Sequence, residues 1–244
     1  MHLGFAPVNG HTTALERGED SGPVSGPVSG RGAERTGAEL TGAEPTGAEL
    51  RKGARTRLRI LDAGARVLRI NGYAATRLAD IAEVAGLRKG SLAFHFSSKT
   101  ELLEEVVRHG FENGLNEVRG RVEALGADAG PAERIRVAIG VHLRELEERV
   151  DYAPAMLRSM DQFPAEVRHR LRDVDHGYVG YWVELVTAAQ RSGQPPADED
   201  PVLLVRLALG ALNATLDRPV LEPRDQIVRA VCRLLGLRTG EPSG

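Results

Sequence analysis

Residues 76–99 constrain the fold of this chain more than any other stretch, because they have the pattern of two short helices joined by a tight turn. Gly86 lies between the two helices, where a sharp change of direction favours glycine. Apolar residues recur at helical spacing on one face, at Leu78, Ile81, Leu92 and Phe96. The stretch therefore predicts a helix pair with an apolar underside and a basic outer surface that suits an anionic partner.

Charge is distributed unevenly along the 244 residues, although the formal net charge is only -2. Residues 51–99 carry 11 Lys and Arg against 3 Asp and Glu, whereas residues 1–50 carry 3 against 7. Residues 122–244 carry 15 against 19. One basic segment between two mildly acidic segments indicates that this part of the chain meets phosphate and that the rest has another task.

Several classes of function are disfavoured by what the chain contains. Cys232 is the only cysteine, so the chain has neither an internal disulfide nor a cysteine-based metal site. The Glu and Arg residues at 144–149 have the spacing of solvated helix pairs, and no catalytic constellation stands out. We therefore expect a protein that is not an enzyme and uses no cofactor or metal.

Hydropathy gives no sign of a membrane segment. The most apolar stretch, residues 202–212, contains Arg206 and is too short to cross a bilayer. The N-terminus lacks a basic region followed by an apolar one, as a secretory signal would have. These features predict a cytoplasmic protein without a membrane partner.

Periodicity divides the chain into four predicted segments. Residues 1–50 repeat Gly-Pro-Val-Ser and Thr-Gly-Ala-Glu units and predict a disordered low-complexity tail. A partner-binding segment and a translation start near residue 50 are alternative interpretations of that stretch. Residues 51–98 predict a three-helix domain containing the helix-turn-helix, residues 99–121 a linking fourth helix, and residues 122–240 a helical body.

The helix boundaries follow from caps and prolines. The first helix is predicted over about residues 52–70 and ends at Asn71-Gly72, and Thr76 is the predicted N-cap of the second. Ser98 and Glu101 form a capping box that starts the fourth helix. Further helices are predicted over about 89–95, 131–150, 164–191, 201–217 and 223–235, with a short one opening at Pro154. The predicted fold class is all-α.

Residues 57–106 resemble the DNA-binding domain of the TetR family of bacterial transcriptional regulators. The matching elements keep the family's order and spacing, and they are Ile60-Leu61-Asp62-Ala63, Asn71-Gly72-Tyr73, Ala75-Thr76, Asp80 to Leu87, Lys89-Gly90-Ser91-Leu92, His95-Phe96 and Lys99 to Leu103. The resemblance implies an all-helical homodimer. Its N-terminal helices would bind a palindromic operator in double-stranded DNA, and its C-terminal domain would bind a small-molecule effector and dimerise.

The resemblance also implies roles for particular residues. Thr76 would cap the second helix near a phosphate, and Lys89, Gly90 and Ser91 would begin the helix that reads the major groove. His95 and Lys99 would contact the DNA backbone. The basic residues Arg51, Lys52, Arg55, Arg57 and Arg59 are either a solvated face or, for some of them, further contacts to phosphate or the minor groove.

Two departures from the family pattern affect the predicted reading surface. Arg88 stands where a small capping residue is common, which weakens the cap by about 1 kcal/mol but offers a cation to phosphate or guanine. Ala93 replaces a tyrosine that often bonds to DNA, and Phe94 offers only apolar contact, for example to a thymine methyl. The operator preference therefore cannot be transferred from other members.

The body carries two further predicted sites. The last two helices have wide apolar faces with small residues at Ala208, Gly210, Ala211 and Ala230, which favours a dimer bundle, with an internal core as the alternative. The candidate effector-binding residues are His142, Met156, Met160, Phe163, Tyr178 and Trp182, with His176 and Asn213 as further polar candidates. Ordinary core packing is the alternative for the aromatic residues and methionines.

Two functions remain open at this stage. The first is a homodimeric repressor that a small, largely apolar effector releases from its operator. The second is a dimeric DNA-binding protein without a sensor, which acts architecturally or through a protein partner.

Overall fold

A computed structural model describes residues 47–195, 198–216 and 223–238. The predicted tail at 1–50 lies outside these ranges, apart from its last four residues. The described residues belong to one structural unit, which begins at Pro45. Within them, every helix is too short or too polar to cross a membrane.

The described residues form nine α-helices and contain no β-strand, which confirms the all-α prediction. The helices are α1 (Gly47–Ala75), α2 (Leu78–Val84), α3 (Lys89–His95), α4 (Lys99–Glu123), α5 (Pro131–Glu148), α6 (Tyr152–Ser159), α7 (Ala165–Arg191), α8 (Pro201–Asn213) and α9 (Arg224–Leu234). Single 3-10 turns at Met160–Gln162 and Ala214–Leu216 follow α6 and α8.

The first helix breaks where the sequence predicts, but it begins about five residues earlier. Gly72 has φ 70°, a left-handed conformation inside the range of α1, so the helical path is interrupted there and one short turn follows. A Cβ at this position would lie 2.9 Å from Oε1 of Gln162. Glycine is therefore favoured at position 72 by its conformation, whereas the flexible end of the Gln162 side chain could move away from an added methyl group.

The predicted cap at Thr76 is wrong. Arg77 is the N-cap residue of α2, and its side chain makes no capping hydrogen bond. The hydroxyl of Thr76 instead donates to the carbonyl of Gly72 at 2.7 Å, and the residue is buried. The backbone N–H of Thr76 donates to the same carbonyl at 3.2 Å, so the side chain adds a second bond at the end of α1 and does not cap α2.

The start of α4 has one of the two hydrogen bonds that the predicted capping box requires. The backbone N–H of Glu101 donates to Oγ of Ser98 at 3.1 Å, as expected. The reciprocal bond goes to a neighbouring residue, since the Glu101 carboxylate accepts from the backbone N–H of Ser97 at 2.8 Å. Hydrogen bonds to the carboxylate from the hydroxyl and then the backbone N–H of Ser97, together with the Arg57 cation, hold the pKa of Glu101 below its ordinary value.

Two clusters of buried apolar residues run through the chain, and α4 contributes to both. The first cluster joins the helices α1, α2, α3 and α4, and it includes the predicted anchors Ile81, Leu92 and Phe96. It also contains Tyr152 and Phe163, so α6 and the start of α7 pack with the N-terminal helices. The second cluster joins the end of α4 to α5, α7, α8 and α9. The short helix α6 is therefore attached to the N-terminal core although it lies far along the sequence.

Candidate functional site

The exposed surface of the turn between α2 and α3 carries most of the predicted DNA-binding residues. Leu92 is buried, whereas its neighbours on α3 point away from the core. The exposed positions are Arg88, Lys89, Gly90, Ser91, Ala93 and Phe94. Phe94 is 86% exposed, which is unusual because an apolar phenyl ring is unfavourable in water. His95 is half-buried, and its ring lies edge-on to that of Phe94 with 5.4 Å between the centroids. An exposed aromatic ring on a basic surface is a feature of binding surfaces.

Arginine occupies the N-cap position of both helices in this motif. Arg77 precedes α2 and Arg88 precedes α3, and neither makes a side-chain capping bond. Both residues are exposed. The sequence pattern singles out Arg88 but not Arg77, because it assigns the capping position to Thr76. Each arginine places a cation beside the unpaired N–H groups of a helix start, where positive potential already accumulates.

Lys99 is engaged within the protein. Its ammonium donates to the carbonyl of Tyr73 at 3.0 Å and to that of Ala74 at 3.3 Å, and it lies 4.7 Å from the centroid of the Tyr73 ring. Two of its three N–H groups therefore stabilise the end of α1. Its contact with DNA backbone remains a prediction, with one donor left for a phosphate.

Two of the five basic residues near the start of α1 also have internal roles. Arg57 donates to the carbonyl of His95 at 3.2 Å and lies 4.3 Å from the centroid of the Phe96 ring. Arg59 donates to the carbonyl of Ala85 at 2.6 Å. These arginines join α1 to the ends of α2 and α3. Sequence periodicity could not distinguish them from Arg55, which is exposed.

A cavity of about 120 Å³ lies between α4, α5, α6, α7 and α8. Its apolar wall includes Phe111, Leu146, Met156, Leu157 and Leu209. Its polar wall consists of His142, Glu145, Arg149, Asp175, Tyr178 and Asn213. A mostly apolar cavity with a few placed polar groups is typical of small-molecule sites.

Three polar side chains, the buried His142 and Tyr178 and the half-buried Asn213, form a hydrogen-bonded chain at this wall. Nδ1 of His142 lies 2.6 Å from the hydroxyl of Tyr178, and its Nε2 lies 3.2 Å from Oδ1 of Asn213. Because an amide oxygen only accepts, Nε2 carries the proton and Nδ1 accepts from the tyrosine. Burial lowers the pKa of His142 to about 4 and raises the pKa of Tyr178. The imidazole is therefore neutral at physiological pH.

Two carboxyl groups also face the cavity, and the sequence analysis missed both. Glu145 pairs with Arg149, with Oε2 at 3.1 Å from Nε, and its side chain is only 13% exposed. Desolvation raises the pKa of Glu145 and that of Asp175. The prediction that the residues at 144–149 are solvated pairs is therefore wrong for Glu145. Helical spacing shows which residues share a face, but not that the opposing helices α6 and α7 cover it.

Three of the six predicted effector residues line the cavity, namely His142, Met156 and Tyr178, and Asn213 joins them. The other three lie elsewhere, contrary to expectation. Phe163 is buried in the first core, 4.6 Å from Tyr73 between ring centroids, and Met160 packs on the same core. Trp182 is fully buried in the second core, edge-on to His142 at 5.9 Å. His176 is exposed on α7.

The last two helices leave an apolar stripe uncovered. Leu203 and Leu207 of α8 are each about half exposed, and Leu234 of α9 is 46% exposed. Three predicted small residues, Gly210, Ala211 and Ala230, lie on the exposed side. Ala208 is buried and belongs to the core. The predicted small-residue set therefore divides between an inner and an outer face.

Two family profiles match this chain and together cover more than half of it. The profile of bacterial regulatory proteins of the tetR family matches residues 60–106, and that of the tetracyclin repressor-like C-terminal domain matches residues 128–217. The fatty acid metabolism regulator protein of Bacillus subtilis (strain 168) is 24% identical over 164 residues, which are 67% of this chain and 80% of that protein.

Solved structures of regulators share the fold. The TetR family transcriptional regulator PfmR from Thermus thermophilus superposes with a TM-score of 0.61 at 25% identity, covering 73% of this chain and 97% of that one. The transcriptional regulator FadR from Bacillus subtilis, solved in complex with stearoyl-CoA, gives a TM-score of 0.63 at 20% identity with the same coverage. The helix-turn-helix, the helical body and both profiles agree: the chain belongs to the TetR family of bacterial transcriptional regulators and is not an enzyme.

Proposed function

We propose that this chain is a homodimeric repressor that binds a palindromic operator and leaves it when a small, largely apolar effector enters the cavity. The observation that carries the proposal is the combination of an exposed basic helix pair with an apolar cavity in one chain. The site of action would be the cytoplasm, where the operator DNA lies.

Arg77, Arg88 and Lys89 form the exposed cationic part of the proposed DNA surface. Cations at helix starts hold phosphate and set the register of α3, while base contacts determine the sequence that is read. Ser91 offers a hydroxyl, and Phe94 offers an apolar edge that fits a thymine methyl. The proposed operator preference thus depends on one polar and one apolar reader on the same helix.

The stripe on α8 and α9 supports the homodimer. Exposed leucines beside Gly210 and Ala211 allow two copies of a helix to approach closely across a twofold axis. A dimer would present two copies of α3, and successive major-groove half-sites lie about 34 Å apart on one face of DNA. A palindromic operator then matches the symmetry of the protein.

The volume of the cavity limits the effector. Sites for drug-sized ligands usually measure about 300–1,000 Å³, whereas this cavity holds about 120 Å³. A small apolar molecule fits without rearrangement. A long acyl chain, such as the stearoyl group bound by the FadR neighbour, would require a wall to move.

The first step of the test selects DNA from a random duplex library with the purified chain. The second step measures the affinity of the selected duplex by fluorescence anisotropy, with and without a panel of apolar compounds and acyl-CoA thioesters. The expected results are a palindromic consensus and at least one compound that weakens binding. Failure to select DNA would reject the regulator function. Selected DNA whose affinity no compound changes would instead support the ligand-independent alternative.

A further inference from the structure

We propose that Tyr152 is the positioning residue that transmits occupancy of the cavity to the DNA-binding helices; the inference rests on the repressor function proposed above. Tyr152 is the first residue of α6 and is 6% exposed. Its ring lines the cavity, and its hydroxyl donates to Oδ1 of Asp62 at 2.8 Å. Asp62 belongs to α1, so one side chain touches both the cavity and the N-terminal domain.

Two further polar contacts tie the same segment to α1. Asp151, beside Tyr152, accepts from Nε of Arg69 at 2.6 Å. At the other end of the segment, Oε1 of Gln162 accepts from the backbone N–H of Tyr73 at 2.9 Å. The wall formed by α6 is thus fixed to α1 at its start and just beyond its end. A displacement of α6 must either carry α1 with it or break these bonds.

The path continues from α1 to the reading helix through described contacts. Arg59 joins α1 to the carbonyl of Ala85 at the end of α2, and Arg57 joins it to the carbonyl of His95 at the end of α3. A shift of α1 relative to the body would therefore move both helices of the DNA-binding motif. Because two reading helices of a dimer must match successive grooves, a small rotation of each one lowers operator affinity.

Among the five helices around the cavity, α6 is the shortest and packs most extensively against α1. It has 8 residues, whereas α4, α5 and α7 have 25, 18 and 27 and α8 has 13. It also lies closely against α4 at Gly110, where a Cβ would lie 2.6 Å from Sδ of Met156 and 3.2 Å from Cδ1 of Tyr152. A ligand that presses on α6 would therefore act directly on a helix that is bonded to α1.

Gly110 offers a way to press on α6 without knowing the effector. Gly110→Ala puts a methyl group against Met156 and Tyr152, and Gly110→Leu is made in parallel because rotation of Met156 cannot absorb the larger side chain. Gly114→Ala is the matched control, since its Cβ would meet Tyr178 at an ordinary 3.5 Å on the same helix. Both alanine changes alter helix propensity equally.

The test is a double-mutant cycle on operator affinity, with the duplex selected by the wild-type chain as the probe. The Gly110 substitutions are combined with Tyr152→Phe, which keeps the ring and removes the hydroxyl. The control background is Tyr178→Phe, because Tyr178 also lines the cavity but bonds to His142 within the body. Thermal melts of every variant separate loss of folding from loss of response.

We expect at least one Gly110 substitution to change operator affinity by about fivefold or more, the lower end of common allosteric couplings. In the Tyr152→Phe background the same substitution should change affinity by a factor at least about twofold smaller, because the Asp151–Arg69 and Gln162–Tyr73 contacts remain, whereas the Tyr178→Phe background should leave its effect intact. Gly114→Ala should have no effect in any background.

Two outcomes would overturn the role of Tyr152. One is equal effects of the Gly110 substitutions in the wild-type and Tyr152→Phe backgrounds, which would make Tyr152 merely structural. The other is no effect of either Gly110 substitution on a wild-type chain that binds its selected DNA. A wild-type chain that selects no DNA at all would reject the repressor proposal itself, so the two failures are distinguishable.

Discussion

Polar groups of the DNA-binding helices and polar groups of the cavity lie in opposite surroundings. On α2 and α3, Arg77, Arg88 and Lys89 are exposed to solvent. In the cavity, His142 and Tyr178 are buried and bonded to each other. The exposed cations are hydrated and can bind phosphate with release of water and salt ions. The buried groups are hydrogen-bonded to other side chains and not to water. Under the proposed function, charge on the first surface would determine affinity for DNA, and geometry in the second would determine which ligand fits.

The largest expected effect comes from separating the two copies of the proposed homodimer. Replacing both Leu203 and Leu207 by Glu puts charges on the apolar stripe of α8, and sedimentation should then show a monomer. Operator affinity should fall by at least about 100-fold, because the second half-site no longer benefits from the first.

The matched control for that experiment is Val150→Glu, an exposed apolar position outside the stripe. It should leave both mass and affinity unchanged. A dimer that survives the double substitution would remove α8 from the interface.

The buried His142 leads to a prediction of how the free energy of unfolding depends on pH. The pKa of His142 is lowered to about 4 in the fold, whereas an unfolded chain has the ordinary 6.5. The unfolded state therefore binds an extra proton as the pH falls. The contribution of His142 to the free energy of unfolding is complete above pH 6.5 and is lost between pH 6.5 and about 4. At pH 5 the loss from this group should be about 2 kcal/mol.

Denaturant unfolding of wild type and His142→Gln at pH 7 and pH 5 measures this loss. Glu145 and Asp175 have raised pKa values and oppose the trend, so the difference between the two proteins isolates the histidine. Parallel pH dependence in wild type and variant would contradict a neutral buried His142.

The two lysines of the helix-turn-helix region should separate DNA contact from structural support. Lys89→Ala should weaken binding to all sequences and reduce the salt slope by about one per monomer, with an unchanged melting temperature. Lys99→Ala should also lower the melting temperature by about 2–4 °C, because two hydrogen bonds to carbonyls of α1 are lost. An unchanged melting temperature for Lys99→Ala would show that these bonds contribute no stability.

The smallest expected effect distinguishes two arginines that look alike in the sequence. Arg59→Ala removes a bond from α1 to Ala85 and should cost about 1 kcal/mol. Arg55→Ala changes an exposed residue and should stay within about 0.5 kcal/mol of wild type. Denaturant unfolding of the two variants side by side gives the comparison, and equal stabilities would place Arg59 with the solvated residues.

Local signals were sufficient for the positions of most helices. The caps at Ser98 and Asp200 and the break at Gly72 depend on side chains within four residues of the helix end. The predicted end of α1 and the predicted span of α3 were confirmed. Thr76 failed as a cap because its hydroxyl, like its backbone N–H, bonds to the carbonyl of Gly72 four residues earlier. That competition depends on backbone geometry, which spacing alone does not reveal.

The sequence by itself indicated the family, through a motif resemblance over residues 57–106, and it predicted the all-α class and the basic helix pair through helical periodicity and charge. The tertiary structure alone decided which of the candidate residues share a cavity. His142 and Asn213 are 71 residues apart and meet there, while Phe163 and Trp182 serve two different cores. It also joined Tyr152 to Asp62 across 90 residues. Helical spacing identifies the face on which a side chain lies, but only the packing of several helices decides what that face meets.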